Sequence, residues 1–143
     1  MSEFRGAVLR PSTMMRHDRG SGAATTPVVT SATGSTSFMS GLTHFAPGAA
    51  IPLHFHNCDE SVCLIDGIAV AEIDGVAHDL LPGDTSLIPA GVPHRFRNAS
   101  DDVPMTILWT YATLDATRTI VATGETRRVD AEPGRASSPD TMG

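Results

Sequence analysis

A chain of 143 residues and 15.0 kDa, 41% of them apolar, has room for one ordinary hydrophobic core and leaves none for a second domain. The formal net charge is −6 and the ten basic residues are all Arg, so no clustered cationic face is offered to a phosphate backbone, and nucleic acid is excluded as the expected partner. The absence of Lys removes Schiff-base and P-loop lysine chemistry, which leaves small-molecule catalysis or binding. No run approaches the ~18 apolar residues of a membrane span, and Met1-Ser-Glu-Phe-Arg-Gly does not open as a leader does. Two cysteines, Cys58 and Cys63, are too few for a disulfide framework. The expectation is a cytoplasmic protein with free thiols and no membrane partner.

Residues 1–35 are rich in Gly, Ser and Thr, with short extended candidates at 7–9 and 27–30, and read as a flexible arm. Over 36–123 short runs of Val, Ile, Leu, Phe and Thr are broken by Gly, Pro, Asp and Asn at the spacing of an all-β sandwich or barrel. Asp66-Gly67 and Asp74-Gly75 separate 61–65, 68–73 and 76–80, and Asp-Gly supplies the positive φ of a two-residue hairpin, which predicts a three-strand meander. Further strands follow at 85–88, 93–97, 104–112 and 118–122, the third with Met105, Ile107, Trp109 and Tyr111 on one face. After Gly124 the apolar content falls away, and 124–143 is expected to be a disordered tail.

Four metal-ligand types fall where such a barrel can gather them. His54 and His56 alternate with Leu53 and Phe55 and so share one face of a strand. Glu60 follows the turn 57–59, and His94 opens a later strand. Three imidazoles and a carboxylate suit one divalent transition metal (Fe, Mn, Ni, Co, Cu or Zn) and disfavour Ca²⁺ and Mg²⁺, which favour all-oxygen shells.

At these residues the sequence resembles the cupin superfamily. Gly48, His54, His56, Glu60 and Gly67 occupy every position of the first cupin motif, and Gly83, Pro89, Gly91, His94 and Asn98 fill the second. The glycines, Pro89 and Asn98 are read as turn geometry rather than chemistry. The resemblance implies a double-stranded β-helix (jelly-roll) barrel, one metal inside it, and frequent dimers. A homodimer is expected, with the 105–111 stripe or the arm supplying the contact.

Phe96, Trp109 and Tyr111 are candidates for the pocket wall, each being equally readable as a core aromatic. Cys58, between the ligands, more readily points away than coordinates, and Arg95 and Arg97 alternate outward. His17, His44 and His78 have no visible companions. The resemblance to cupins with three His and one Glu points to a dioxygenase-type enzyme on a small oxygenated or aromatic molecule, with Glu60 as ligand or proton acceptor. A non-redox isomerase, cyclase or lyase, and a non-catalytic small-ligand binder, are the alternatives, since one fold hosts many functions.

Overall fold

Every second side chain of a strand meets the same face, and the segments read as strands alternate accordingly in a computed structural model, which describes residues 4–131 and 135–137. The strands are β1 (Arg16–Gly20), β2 (Ala23–Val29), β3 (Met39–Phe45), β4 (His54–His56), β5 (Glu60–Asp66), β6 (Ala69–Ile73) and β7 (Val76–Leu80). They continue as β8 (Thr85–Ile88), β9 (His94–Asn98), β10 (Met105–Tyr111), β11 (Thr117–Ile120), β12 (Thr126–Arg128) and β13 (Arg135–Ser137). Two antiparallel sheets result, ordered β13-β1-β2-β3-β10-β5-β8 and β12-β11-β4-β9-β6-β7. Their inner faces share one core, with Phe45, Val62, Leu64, Ile88 and Met105 from the first sheet against Ala69, Ala71 and Phe96 from the second. This is the expected all-β jelly-roll barrel. No helix among the described residues is long and apolar enough to cross a membrane.

The meander is not formed. Asp74-Gly75 does close a two-residue hairpin, with Ile73 opposite Val76 and φ of 50° and 82° at the two turn residues. Asp66-Gly67 instead carries the chain from one sheet to the other, so β5 pairs with β10 and β8 while β6 pairs with β7 and β9. Gly67 is required there for two reasons. Its φ is +89°, and a Cβ would lie 2.6 Å from the Pro104 carbonyl oxygen and 3.0 Å from Met105 Cα.

The stripe Met105, Ile107, Trp109 and Tyr111 is buried against the core, so it is not available as a contact between copies of the chain. The arm is partly built into the fold: β1 and β2 extend the seven-stranded sheet beyond β3, and Ala23, Thr25 and Thr26 are buried. Residues 7–9 form no strand. Within 124–143, β12 pairs with β11, Val129 packs on the core and β13 pairs with β1, while 132–134 and 138–143 lie outside the described residues. Backbone pairing and cross-strand Thr contacts, such as Thr119 with Thr126 at 2.7 Å, order segments that apolar content alone would not.

Gly67→Ala is expected to cost at least about 2 kcal/mol, because a strained φ and a backbone collision act together. Gly75→Ala, with positive φ but open space around the added methyl, should cost about 1 kcal/mol. Urea denaturation of the two variants checks the order.

Candidate metal centre

β4 is only three residues long, yet it lies between β9 and β11 and sends both of its histidines inward. His54 sits directly across from His94 on β9, and His56 across from Arg118 on β11. Glu60 starts β5 in the facing sheet, opposite Tyr111. The turn between is fastened on both sides. The Asn57 amide donates to the Asp115 carbonyl (3.1 Å) and its oxygen accepts from Thr117 N–H (2.9 Å). The Asp59 carboxylate accepts from Ala90 N–H (3.2 Å), and Gly91 N–H donates to the His56 carbonyl (2.8 Å). These bonds tie the turn ahead of His94 to the one that bears Glu60. Asn98 is structural, as expected: its amide donates to the carbonyls of Phe45, Ala46 and Val103.

The four side chains converge. His54, His56, Glu60 and His94 are all at most 5% exposed, and each histidine offers one ligand atom within 4.8 Å of the others. Every imidazole is oriented from behind, with Nδ1 facing a backbone carbonyl: Pro52 at 2.7 Å for His54, Thr117 at 2.8 Å for His56 and Val92 at 2.9 Å for His94. A carbonyl only accepts, so the proton belongs on Nδ1, and the neutral ring then presents a bare Nε2 lone pair to the interior. Glu60 Oε1 meets His94 Nε2 at 2.9 Å and His56 Nε2 at 3.3 Å. At the latter the geometry makes no hydrogen bond, so His56 Nε2 is a buried nitrogen without a hydrogen-bond partner.

Charge follows the same logic. Burial first, then the charges of Arg118, His94 and His56, push His54 well below the usual histidine range, which keeps it a neutral ligand. Burial alone would raise Glu60, and with a proton on the inward nitrogen of His56 or His94 the contact with that charged ring outweighs burial and holds the carboxyl below its ordinary value. Lone pairs and an anionic oxygen that face one another call for a proton or a cation between them. The residues therefore fit a divalent metal of the nitrogen- and oxygen-binding kind. Cys58 is not part of the cluster, and burial, with the charges of Glu60 and Asp59, pushes its thiol up.

Beside the cluster lies a cavity of about 260 Å³, whose wall includes Arg19, Thr43, Trp109, Tyr111, Leu114 and Arg118. Tyr111 belongs to both places, since its ring is 4.6 Å from that of His56. Its hydroxyl is raised by burial and by the Glu60 charge, and so stays protonated. Trp109 also lines the cavity, with its N–H donating to Thr43 Oγ1 at 2.9 Å. Phe96 does not line it. That ring is buried in the core, edge-on to His94 at 6.3 Å. Arg95 and Arg97 lie on the outer side as expected, Arg95 on Glu72 at 2.9 and 3.1 Å. Sequence reasoning missed Arg19 and Arg118, and it saw no companions for His17, which lines the cavity with them. The alternation of His17, Asp18 and Arg19 was the only local signal for two of them.

A Cupin domain family model matches residues 41–111. Protein SchB of Streptomyces halstedii is 39% identical over 69 residues, 48% of this chain and 50% of SchB. Quercetin 2,3-dioxygenase of Bacillus subtilis is 41% identical over 54 residues, 37% of this chain and 16% of that enzyme. The chain thus spans about half, or less, of the length of these curated relatives. Among solved structures, a sugar phosphate isomerase of the cupin superfamily from Silicibacter pomeroyi is 28% identical with a TM-score of 0.57, covering 78% of this chain and 80% of that one.

His56→Ala should lower transition-metal affinity by more than about tenfold, since loss of an outer hydrogen bond alone costs that much at such centres. Far-ultraviolet circular dichroism should be unchanged, because the core is built from other side chains. Titration of the metal-free variant with Zn²⁺ or Co²⁺ measures it.

Proposed function

The chain belongs to the cupin superfamily, and from that premise we propose that it is a metal-dependent enzyme acting on a small oxygenated aromatic molecule, with His54, His56, Glu60 and His94 holding one divalent transition-metal ion. The observation that carries the reading is the convergence of three back-oriented imidazoles and a carboxylate on His56 Nε2, a buried nitrogen with no hydrogen-bond partner. Four protein ligands leave a position open on an ion that takes five or six, the feature that separates catalytic from closed structural sites. When bound, the ion supplies Lewis acidity to a substrate oxygen and, for Fe, Mn, Ni, Co or Cu, a redox couple.

The chain's own residues do the rest. Glu60 Oε1 is the proton acceptor, buried beside the ligands and anionic, within reach of a substrate hydroxyl in the cluster. Tyr111, kept as the phenol, donates a hydrogen bond to a substrate oxygen at the wall the cavity shares with the cluster. Trp109 offers an aromatic face, and Met39 and Leu114 line the cavity with apolar surface that limits water.

Dioxygenase-type chemistry is the leading reading, supported by the 41% identity to a quercetin dioxygenase, an enzyme named for an aromatic substrate. Non-redox isomerisation or cyclisation is the second, and the coverage favours it: the likeness to the sugar phosphate isomerase spans 80% of that chain, against 16% of the dioxygenase.

Metal-free protein reconstituted with Fe(II) should hold about one ion per chain and incorporate labelled dioxygen into a flavonol or catechol, with Zn²⁺ giving no product. Turnover by the Zn²⁺ form under argon would overturn the dioxygenase reading in favour of the second. Failure to take up any of the six metals would overturn both. Glu60→Gln should lose turnover more than occupancy if Glu60 moves a proton, and equal losses would make it a ligand only.

A further inference from the structure

The inner face of β3 carries Met39, Gly41, Thr43 and Phe45, so a single hydroxyl is buried in a row with no other polar side chain. Thr25 of β2 lies directly across from Thr43, and the two hydroxyl oxygens are 3.0 Å apart. Trp109 of β10 stands over Gly41, where a Cβ would lie 2.5 Å from the indole ring and 2.6 Å from the Thr26 carbonyl oxygen. The ring is thus seated where any larger residue would collide with it, and from that seat it donates its N–H to Thr43 Oγ1 at 2.9 Å. Thr43 is 6% exposed and Thr25 8%, and both line the 260 Å³ cavity together with Trp109 and Tyr111.

The protons of this polar row exceed its acceptors. An indole N–H only donates, so Thr43 Oγ1 accepts from it, and each hydroxyl can donate once. The bonds from Trp109 to Thr43 and between the two threonines use the indole proton and one hydroxyl proton. The second hydroxyl proton has no acceptor among the described residues. A hydroxyl that already accepts a hydrogen bond is the better donor, which sets the order Trp109 to Thr43 to Thr25 and puts the remaining proton on Thr25. A nearly buried donor left unmet is costly, whereas an under-used lone pair is less so.

Resting on the reading that the cluster beside Tyr111 serves a small oxygenated aromatic ligand, we propose that Thr25 fixes the orientation of that ligand, donating a hydrogen bond to its carbonyl oxygen while the ring lies against Trp109. The indole N–H is already given to Thr43, so Trp109 meets a ligand through its ring rather than its donor. The Trp109 and Tyr111 rings are 5.0 Å apart, and those of Tyr111 and His56 4.6 Å, so an aromatic wall runs from the threonine pair to the cluster. A molecule held at one end by Thr25 therefore extends along that wall toward the histidines.

The probes are 2-acetylnaphthalene and 2-isopropenylnaphthalene, one shape with the carbonyl oxygen replaced by methylene. Binding to the full chain is followed by calorimetry and by the indole N–H resonance of Trp109, the sole tryptophan. Both probes should bind and shift the indole signal, because the ring contact is common to them. Thr25→Val, which keeps the shape and removes the donor, should lower the ketone-to-alkene affinity ratio at least about fivefold, with alkene affinity nearly unchanged. Thr25→Ser, which keeps the hydroxyl, should hold the ratio near its wild-type value. In the wild-type chain the carbonyl carbon-13 signal of the bound ketone should lie downfield of its position in a hydrocarbon solvent. A hydrocarbon-like signal would overturn the proposal whether or not Thr25→Val folds. So would a ratio unchanged by Thr25→Val, an equal fall in Thr25→Ser, or an indole signal unmoved by either probe. Metal content measured on the same samples keeps the two readings apart. Protein that takes up no metal but still shows the Thr25-dependent ratio upholds this contact and drops the metal-enzyme reading, whereas metal-loaded protein with a ratio indifferent to Thr25→Val drops the contact alone.

Discussion

Bare nitrogen lone pairs and a carboxylate oxygen repel one another in a dry interior unless a proton or a cation lies between them, and most of this barrel is arranged around a place where that occurs. Three histidines are fixed as Nδ1-protonated rings by carbonyls of Pro52, Thr117 and Val92. Those bonds use local backbone groups that must be satisfied in any case. The consequence is that the inward nitrogens have no freedom to become donors without gaining a charge, and burial beside Arg118 opposes that charge at His54. An apolar set of residues would be an easier way to fill the same volume, so the cluster is costly to stability on its own and is explained by what it can hold.

The framework around it bears the same mark. A strand of three residues is too short to specify its own register, and β4 is held by pairing on both sides, to β9 and β11. The Asn57 and Asp59 side chains then fix the turn that sets Glu60 across from Tyr111. The rigidity of the site comes from these bonds and from packing against Phe96 and Tyr111, which bound the rings of His94 and His56.

Much of this was legible in the sequence, because both cupin motifs are local patterns whose spacing encodes strand alternation and turns. His54, His56 and His94 lie within reach of one another and Glu60 touches the last two, an arrangement their spacing allows, and the inward face of β10 follows from simple alternation. Asp66-Gly67 misled for a physical reason: positive φ serves a hairpin and a crossing between sheets equally well, and only the nearness of Pro104 distinguishes them. Phe96 and Trp109 look alike in sequence, and which one faces the cavity depends on which strands lie opposite. Arg19 and Arg118 were not legible because they sit about a hundred residues apart, on strands of different sheets that line one cavity only in the folded barrel. The ordering of β1 and β2 likewise rests on pairing, β1 to β2 and β2 to β3, rather than on apolar content.

The central claim is that His54, His56 and His94, with Glu60, form the inner shell of one transition-metal ion. X-ray absorption fine structure at the edge of the bound metal tests it most directly, because imidazole rings give distinctive outer-shell scattering and sulfur scatters at a longer distance than nitrogen or oxygen. The account predicts three imidazole nitrogens and a light oxygen shell with no sulfur. A first shell that contains sulfur, from Cys58 or Cys63, or one that lacks the imidazole pattern, would contradict it.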